Sequence, residues 1–261
     1  MSRKSSGGPS RGRPIVLAHR GASAEAPENT LAAFVRAMEQ GADGVELDVW
    51  RCGTGEVVVH HDPDTTRTAG MPVRIMRASL RELRRLDVGS RTAERYRGER
   101  IPLLAEVLDA LPGATVNVEL KSSGLPDPAL AREVSRLVQE ARAVDRCIVS
   151  SFDLAVLALF RLVAPSIATG VLFARGQRHQ LREFIGKRVL RPRAVHPELT
   201  LVTEERVRAW SASGLEVNVW TADAPEEVER LCRLGVSAII TNRPAVARAA
   251  VSRLAPAGPR R

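Results

Sequence analysis

The chain has 261 residues, of which 44% are hydrophobic and 26% charged, so it is neither a disordered nor a fibrous protein. The length is usual for one barrel of alternating strands and helices. No apolar run approaches about 18 residues. The basic N-terminal residues also lack an apolar core behind them. We therefore expect neither a transmembrane helix nor a secretory signal peptide, and no stable membrane insertion.

The net charge of +9 is concentrated in particular segments. Both ends, 1–13 and 254–261, are rich in arginine with Ser, Gly or Pro, which predicts flexible tails around a domain spanning 14–253. The stretches 67–100 and 175–193 are also basic. Such runs are typical of solvated helix faces, or of a field that attracts an anionic substrate. Aromatic residues make up only 3%, too few for a nucleic-acid stacking platform, so we expect no nucleic-acid partner.

The three cysteines, Cys52, Cys147 and Cys232, are far apart and form no CxxC pair. This pattern predicts neither a zinc site nor a disulfide framework. It favours a reducing, cytoplasmic compartment in which each cysteine is a small buried residue.

Short β-branched runs alternate with helical patterns along the chain. The predicted strands span residues 14–19, 43–51, 56–61, 115–121, 146–152, 168–173, 194–197, 215–221 and 237–242. The predicted helices span residues 29–41, 80–86, 103–111, 127–143, 153–163, 178–186, 202–212, 225–233 and 244–253. Asn29 or Thr30 is the expected cap of the first helix and Gly41 its end. The strand at 56–61 is predicted to form a hairpin with 43–51.

Apart from the hairpin strand, eight strands remain, with helices between them. Repeated β-α alternation predicts parallel strands with right-handed crossovers, and eight units in this length favour a closed (β/α)₈ TIM barrel. The irregular, arginine-rich stretch 67–100 is interpreted as an insertion over one face. An open doubly wound sheet is the alternative, but His19–Ser23 does not form the glycine-rich phosphate loop expected there.

Acidic side chains are predicted to meet at the carboxyl ends of the strands, where such barrels carry their active sites. Glu46 and Asp48 point to one face of their strand, and Glu119 and Lys121 share a face of theirs. Three converging carboxylates repel one another, and a divalent cation such as Mg²⁺ or Ca²⁺ relieves that repulsion. The alternative is a buried ion-pair network with Arg20 and Lys121.

Two histidines near these carboxylates suggest a general acid and a general base. His19 ends the first strand before Arg20-Gly21, and His61 is preferred over its neighbour His60 because Asp62 follows it. Arg20 and Lys121 beside a metal suit a phosphate group. Trp220 is interpreted as a wall for an alcohol or glycerol group, or as a cap of the barrel. His179 is expected at the surface and His196 in a barrel layer.

These motifs resemble the glycerophosphodiester phosphodiesterase family and occur in its order. The matching segments are AHRGASAEAPENTLAAF (18–34), GADGVELDVW (41–50), VVVHHDP (57–63), VNVELK (116–121), SSFD (150–153), VNVWTAD (217–223) and AIITNRP (238–244). The resemblance implies a TIM barrel with its small insertion at about 63–100. It also implies a small-molecule glycerophosphodiester substrate, of lipid and glycerol metabolism, cleaved to sn-glycerol 3-phosphate and an alcohol.

The resemblance also implies roles for individual residues. His19 and His61 would be the acid–base pair, with His61 as base and His19 as acid in the first step. A divalent metal would be held by Glu46, Asp48 and Glu119. The substrate would be bound by Arg20, Lys121 and Trp220, with Glu28 near the site.

The sequence departs from the family pattern at three places. Thr241-Asn242 stands where Thr-Asp is usual, His60 replaces a frequent aromatic residue, and the hairpin turn reads Gly-Thr-Gly. We expect the first departure to bear on substrate preference. Two alternative functions are kept: a lysophospholipase D-type hydrolase, and a non-enzymatic basic protein that binds nucleic acid or membrane.

Overall fold

A computed structural model describes residues 13–176 and 190–254. Its strands form a barrel closed through β1, which pairs in parallel with both the second and the last strand. The barrel strands are β1 (Ile15–His19), β2 (Gly44–Arg51), β4 (Thr115–Leu120), β5 (Cys147–Ser151), β6 (Ala168–Phe173), β7 (Ala194–Pro197), β8 (Glu216–Val219) and β9 (Ala238–Thr241). A short β3 (Val57–Val59) runs antiparallel to β2. The predicted TIM barrel and its hairpin are confirmed.

Helices follow the strands around the outside of the barrel. They are α1 (Leu31–Glu39), α2 (Thr66–Ala69), α3 (Leu80–Leu83), α4 (Leu104–Ala110), α5 (Pro128–Glu140), α6 (Leu154–Val163), α7 (Glu204–Ala212), α8 (Pro225–Leu234) and α9 (Pro244–Leu254). None of these described helices has the length and apolar character needed to cross a membrane. The predicted helix at 178–186, His179 and nearly all of both predicted tails lie outside the described residues.

Several helices begin later than predicted because their capping residues lie outside the helical turns. Thr30 caps α1 by accepting from the backbone N–H of Ala33, so the alternative cap, Asn29, is wrong. Asp127 and Asp153 cap α5 and α6 in the same way. These side chains satisfy N–H groups that have no partner within the helix.

The apolar core lies between the barrel and its helices. On β2, Val45, Leu47 and Val49 are fully buried in this outer core, with Phe34 of α1. The intervening residues of β2 therefore face into the barrel, as the alternation predicted. Because burial fixes which face is outward, it also fixes which polar residues line the interior.

The segment between β3 and α4 contains only short helices and two 3₁₀ turns, Ile75–Arg77 and Glu94–Tyr96. It closes over a small core of its own that includes Trp50, Ile75 and Leu83. The helix predicted at 80–86 is one short turn, Leu80–Leu83. The insertion inferred from the arginine-rich stretch is therefore present and packs on β2 and β3 through this core.

Candidate active site

Glu46, Asp48 and Glu119 converge inside the carboxyl end of the barrel. Asp48 and Glu119 are register partners on β2 and β4, and Glu46 lies two residues before Asp48 on the same face. One oxygen from each carboxylate lies within 4.8 Å of the others. The three residues are only 4%, 1% and 7% exposed. The structure thus brings together the acidic side chains that the strand alternation placed on one face.

Two cations lie against this carboxylate cluster. The Nζ atom of Lys121 is 2.8 Å from Asp48 Oδ1 and 2.6 Å from Glu119 Oε1. The Nε atom of Arg20 is 3.4 Å from Asp48 Oδ2. The ion pairs expected as an alternative to a metal site are therefore present. However, three carboxylates share two cations, and Arg20 is also paired with Glu28.

The electrostatics of the cluster show that these cations are insufficient. Burial raises the pKa of Glu46 well above its usual value, and repulsion from Asp48 and Glu119 adds to the shift. Burial likewise raises the pKa of Glu119 to about 7. Asp48 is also buried, but Lys121 and Arg20 hold its pKa below the usual range. An all-oxygen donor set whose carboxylates outnumber the adjacent cations fits a hard divalent cation.

The turn after β1 directs Arg20 back over the cluster. Arg20 and Gly21 both have positive φ, 57° and 86°, and the backbone N–H of Arg20 donates to the carbonyl of Glu46 at 2.9 Å. A Cβ atom at Gly21 would lie 2.6 Å from the backbone carbon of Ala33. Only glycine fits this turn, which explains why Gly21 follows His19 and Arg20.

Asn29 is a site residue that the sequence analysis interpreted only as a possible helix cap. It is 3% exposed, has a positive φ of 57°, and donates from Nδ2 to Asp48 Oδ2 at 2.9 Å. It therefore orients one of the proposed metal ligands. The sequence offered one hint: Asn29 and Thr30 are both suitable N-cap residues, and a helix needs only one, which is Thr30.

His61 lies on the side of the cluster formed by β2 and β3. Its Nδ1 atom is 2.7 Å from Asp62 Oδ1. Burial lowers the pKa of His61, and the positive charges of Lys121 and Arg20 lower it further. The strand predicted at 56–61 ends at Val59, so strand alternation does not separate the two histidines. His60 is instead buried against Thr68 Oγ1, at 2.9 Å, and the carbonyl of Asp62.

Arg67 joins the insertion to the site, a contact that the sequence analysis did not identify. Its Nη1 and Nη2 atoms each donate to Glu28 at 2.7 Å, and its Nε atom donates to Asp62 Oδ2 at 2.7 Å. Glu28 also accepts from Arg20 at 3.1 Å. Arg67 thus links Asp62, the neighbour of His61, to Glu28, which in turn pairs with Arg20.

His19 lies beside Glu46, at the end of β1. Its Nδ1 atom is 2.7 Å from Asn242 Oδ1, and its Nε2 atom is 3.9 Å from Glu46 Oε2. Burial lowers the pKa of His19, and the charge of Arg20 adds to this. Position 242 carries an amide where the family pattern has a carboxylate, but a carboxylate lies directly behind it. Asp223 accepts a hydrogen bond from Asn242 Nδ2 at 2.6 Å.

Trp220 follows the end of β8 at the same end of the barrel. The edge of its ring packs against Phe152 with 5.6 Å between ring centroids, and its Nε1 atom donates to the carbonyl of His196. His196 is fully buried, and burial lowers its pKa to about 3. It is therefore a neutral residue of the barrel interior, as expected. Cys52 and Cys147 are buried free thiols, and Cys232 is partly exposed.

Comparisons with known proteins agree with this geometry. The model of the glycerophosphoryl diester phosphodiesterase family matches residues 19–246. A glycerophosphodiester phosphodiesterase of Caldanaerobacter subterraneus subsp. tengcongensis is 35% identical over 89% of this chain and 95% of its own. A human lysophospholipase D is 28% identical, covering 87% of this chain and 83% of its own.

Solved structures show the same architecture. A phosphodiesterase of Oleispira antarctica in complex with the product sn-glycerol-3-phosphate superposes with a TM-score of 0.82. It is 28% identical, and the match covers 92% of this chain and 97% of that one. The acidic cluster and the two histidines thus lie within residues 19–246, the region that the family model matches. This chain belongs to the glycerophosphoryl diester phosphodiesterase family.

Proposed function

We propose that this protein is a metal-dependent phosphodiester hydrolase that cleaves glycerophosphodiesters to sn-glycerol 3-phosphate and an alcohol. The observation that carries the proposal is the buried cluster of Glu46, Asp48 and Glu119, with the imidazoles of His19 and His61 both close enough to interact electrostatically with Asp48. The relative at 35% identity is a glycerophosphodiester phosphodiesterase, and the Oleispira antarctica neighbour holds sn-glycerol-3-phosphate. These similarities support the substrate class.

The three carboxylates would hold the divalent cation, Mg²⁺ or Ca²⁺. Their close oxygens and the raised pKa values of Glu46 and Glu119 support this assignment, because a cation would allow all three to ionise together. When bound, the cation would supply Lewis-acid stabilisation of the charge that develops on the phosphate oxygens. Asn29 would keep Asp48 oriented through its 2.9 Å hydrogen bond.

Arg20 and Lys121 would bind the phosphate. Both are protonated, because the carboxylates around them raise their pKa values despite burial. Glu28 would hold the guanidinium of Arg20 in place. Trp220, against Phe152, would line the cleft next to the glycerol or alcohol group.

His19 and His61 would exchange the protons. His61 would take the proton of the glycerol 2-hydroxyl, whose oxygen attacks phosphorus, while His19 protonates the leaving alcohol oxygen. Water would then open the cyclic phosphate with the roles reversed. Their lowered pKa values make both imidazoles neutral in the free protein at neutral pH, which suits a base. The negative charge of a bound phosphodiester would stabilise the protonated form of His19, which its role as acid requires.

A substrate panel tests this proposal directly. Choline, ethanolamine, glycerol and inositol diesters of glycerol 3-phosphate are incubated with the protein, and released glycerol 3-phosphate is measured. We expect turnover of at least one diester, loss of turnover in excess chelator, and recovery with Mg²⁺ or Ca²⁺. Full turnover in persistent chelator would reject the metal, and no release from any diester with metal present would reject the substrate class.

A lysophospholipase D-type activity on lysolipid diesters is the second candidate. The similarity to the human lysophospholipase D favours it. The basic insertion also exposes two apolar side chains, Met71 at 54% and Met76 at 39%. A lysolipid and its deacylated diester, assayed in parallel, separate the two activities. Preference for the lysolipid that is lost in a Met71→Ser, Met76→Ser variant would assign the acyl-chain contact to the insertion.

A further inference from the structure

A chain of side chains behind His19 joins the first and last strands of the barrel. We propose that Asp223 and Asn242 fix His19 in the tautomer that carries its proton on Nδ1. Nε2, which lies toward the acidic cluster, is then the nitrogen that exchanges protons with the substrate. This positioning role rests on the proposed acid–base function of His19.

Asp223 determines the orientation of the Asn242 amide. Its Oδ1 atom accepts from the hydroxyl of Thr241 at 2.9 Å and from the backbone N–H of Asn242 at 2.7 Å. Its Oδ2 atom lies 2.6 Å from Asn242 Nδ2. An ionised carboxylate only accepts hydrogen bonds, so the amide group that faces it must be the NH₂. The amide oxygen must therefore point the other way.

The amide orientation in turn determines the imidazole tautomer. Asn242 Oδ1 accepts from the hydroxyl of Ser23 at 2.8 Å and lies 2.7 Å from His19 Nδ1. An amide oxygen has no proton to donate, so Nδ1 must be the donor. Nε2 lies across the ring, 3.9 Å from Glu46 Oε2. The same assignment holds whether His19 acts as acid or as base, since only Nε2 gains or loses the proton.

This chain of contacts shows how Asn242 can stand where the family pattern has Asp. Position 242 is a neutral amide next to the imidazole, and the negative charge lies one residue farther back, at Asp223. Exchanging the two side chains would leave the net charge unchanged. The carboxylate at position 242 would accept from Nδ1, and the amide at position 223 would donate to that carboxylate. The exchange should therefore preserve the tautomer, whereas Asp223→Asn alone should not.

Nuclear magnetic resonance of protein labelled with nitrogen isotope at histidine tests the tautomer. The protonated and unprotonated ring nitrogens have well separated resonances, and the His19 signals are identified by their loss in His19→Gln. We expect the Nδ1-protonated form in the parent protein and in Asp223→Asn/Asn242→Asp. In Asp223→Asn the amide is free to turn over, so a mixture of both tautomers is expected.

Kinetics on the same proteins provide a second readout. We expect Asp223→Asn to lower kcat about tenfold with KM little changed, less than the ~10²–10⁴ expected for loss of His19 itself. The exchanged pair should recover most of kcat. Asp43→Asn is the matched control, because Asp43 accepts from the backbone N–H of Val16 at 2.8 Å at the other end of the barrel. That variant should lose stability without losing kcat.

An Nε2-protonated His19 in the parent protein would overturn the proposal, as would an unchanged tautomer in Asp223→Asn. Failure of the proposed function is a separate result. Native turnover in His19→Gln would reject acid–base chemistry at His19, whereas the resonance spectrum would still decide the hydrogen-bond chain.

Discussion

The two ends of the barrel both carry charged side chains, but among the described residues it is the carboxyl end that gathers several buried charges of one sign. At the amino end, a cavity of about 600 Å³ is lined by residues that include Arg13, Arg146 and Arg193. Arg193 pairs with Glu216 at 2.8 Å, and Arg13 lies 3.9 Å from Asp43. Arg146 donates to three backbone carbonyls. Each of these three guanidinium groups therefore has a partner within the chain.

At the carboxyl end, three buried carboxylates share Lys121 and part of Arg20. The raised pKa values of Glu46 and Glu119 are the physical sign of this imbalance. A cavity lined by arginines is thus not by itself an anion site, because guanidinium groups that already have partners in the chain are less available to a ligand. Substitutions at the carboxyl end should change chemistry, and those at the amino end should change stability.

The largest effect is expected from the two histidines at the carboxyl end. His61→Gln and His19→Gln should each lower kcat by about 10²–10⁴-fold, because each removes a group that transfers a proton. Steady-state kinetics with a glycerophosphodiester measures this loss. His60→Gln is the matched control, since His60 contacts Thr68 and should leave kcat nearly unchanged. Equal losses in His60→Gln and His61→Gln would contradict the assignment.

Cation affinity should depend on pH through the acidic cluster. Glu119, with a pKa of about 7, must release its proton before it binds a cation. Glu46, whose pKa is also raised, must do the same, so calorimetry should show affinity weakening by at least about tenfold per pH unit below 7.

The free energy of unfolding should also depend on the protonation of the Glu119 carboxyl group. Because its folded-state pKa lies above the usual 4.5, the contribution of Glu119 to the stability of the metal-free protein should fall as pH rises from 4.5 through 7. Saturating cation at about 100 times Kd should add about 2.7 kcal/mol. Thermal melts with and without cation measure this change, and pH-independent affinity would contradict the role of Glu119.

At the amino end, Arg146→Ala should reduce stability without reducing turnover. Arg146 donates to the carbonyls of Leu108, Leu111 and Ala114 at 3.2, 3.2 and 3.0 Å, around the end of α4. Loss of these charged hydrogen bonds should cost about 2–3 kcal/mol in urea unfolding. Arg132→Ala, at an exposed position on α5, should cost less than about 0.5 kcal/mol. A loss of kcat in Arg146→Ala would show that the two ends are coupled.

The smallest effect is expected from the basic termini. Removal of residues 1–12 and 255–261 should leave kcat/KM unchanged, because the charged groups of the proposed site all lie within the barrel and its insertion. Gel-shift and vesicle-binding assays over a range of salt concentrations test the non-enzymatic alternative. That alternative predicts salt-steep binding that the truncation abolishes.

Local patterns in the sequence determined the barrel, its hairpin and the shared face of Glu46 and Asp48. Strand alternation is a property of neighbouring residues, and a buried outer face leaves only one orientation for the strand. The same strand predictions placed Glu119, Lys121 and both histidines at or near strand ends, and the family motifs indicated their roles.

The tertiary structure alone decided which side chains hold these groups in place. Asn29 contacts Asp48 across 19 positions, Arg67 contacts Glu28 across 39, and His19 contacts Asn242 across 223. No local periodicity relates such distant residues. They meet because β1 pairs with both β2 and β9, and this closure brings the two ends of the chain to one site.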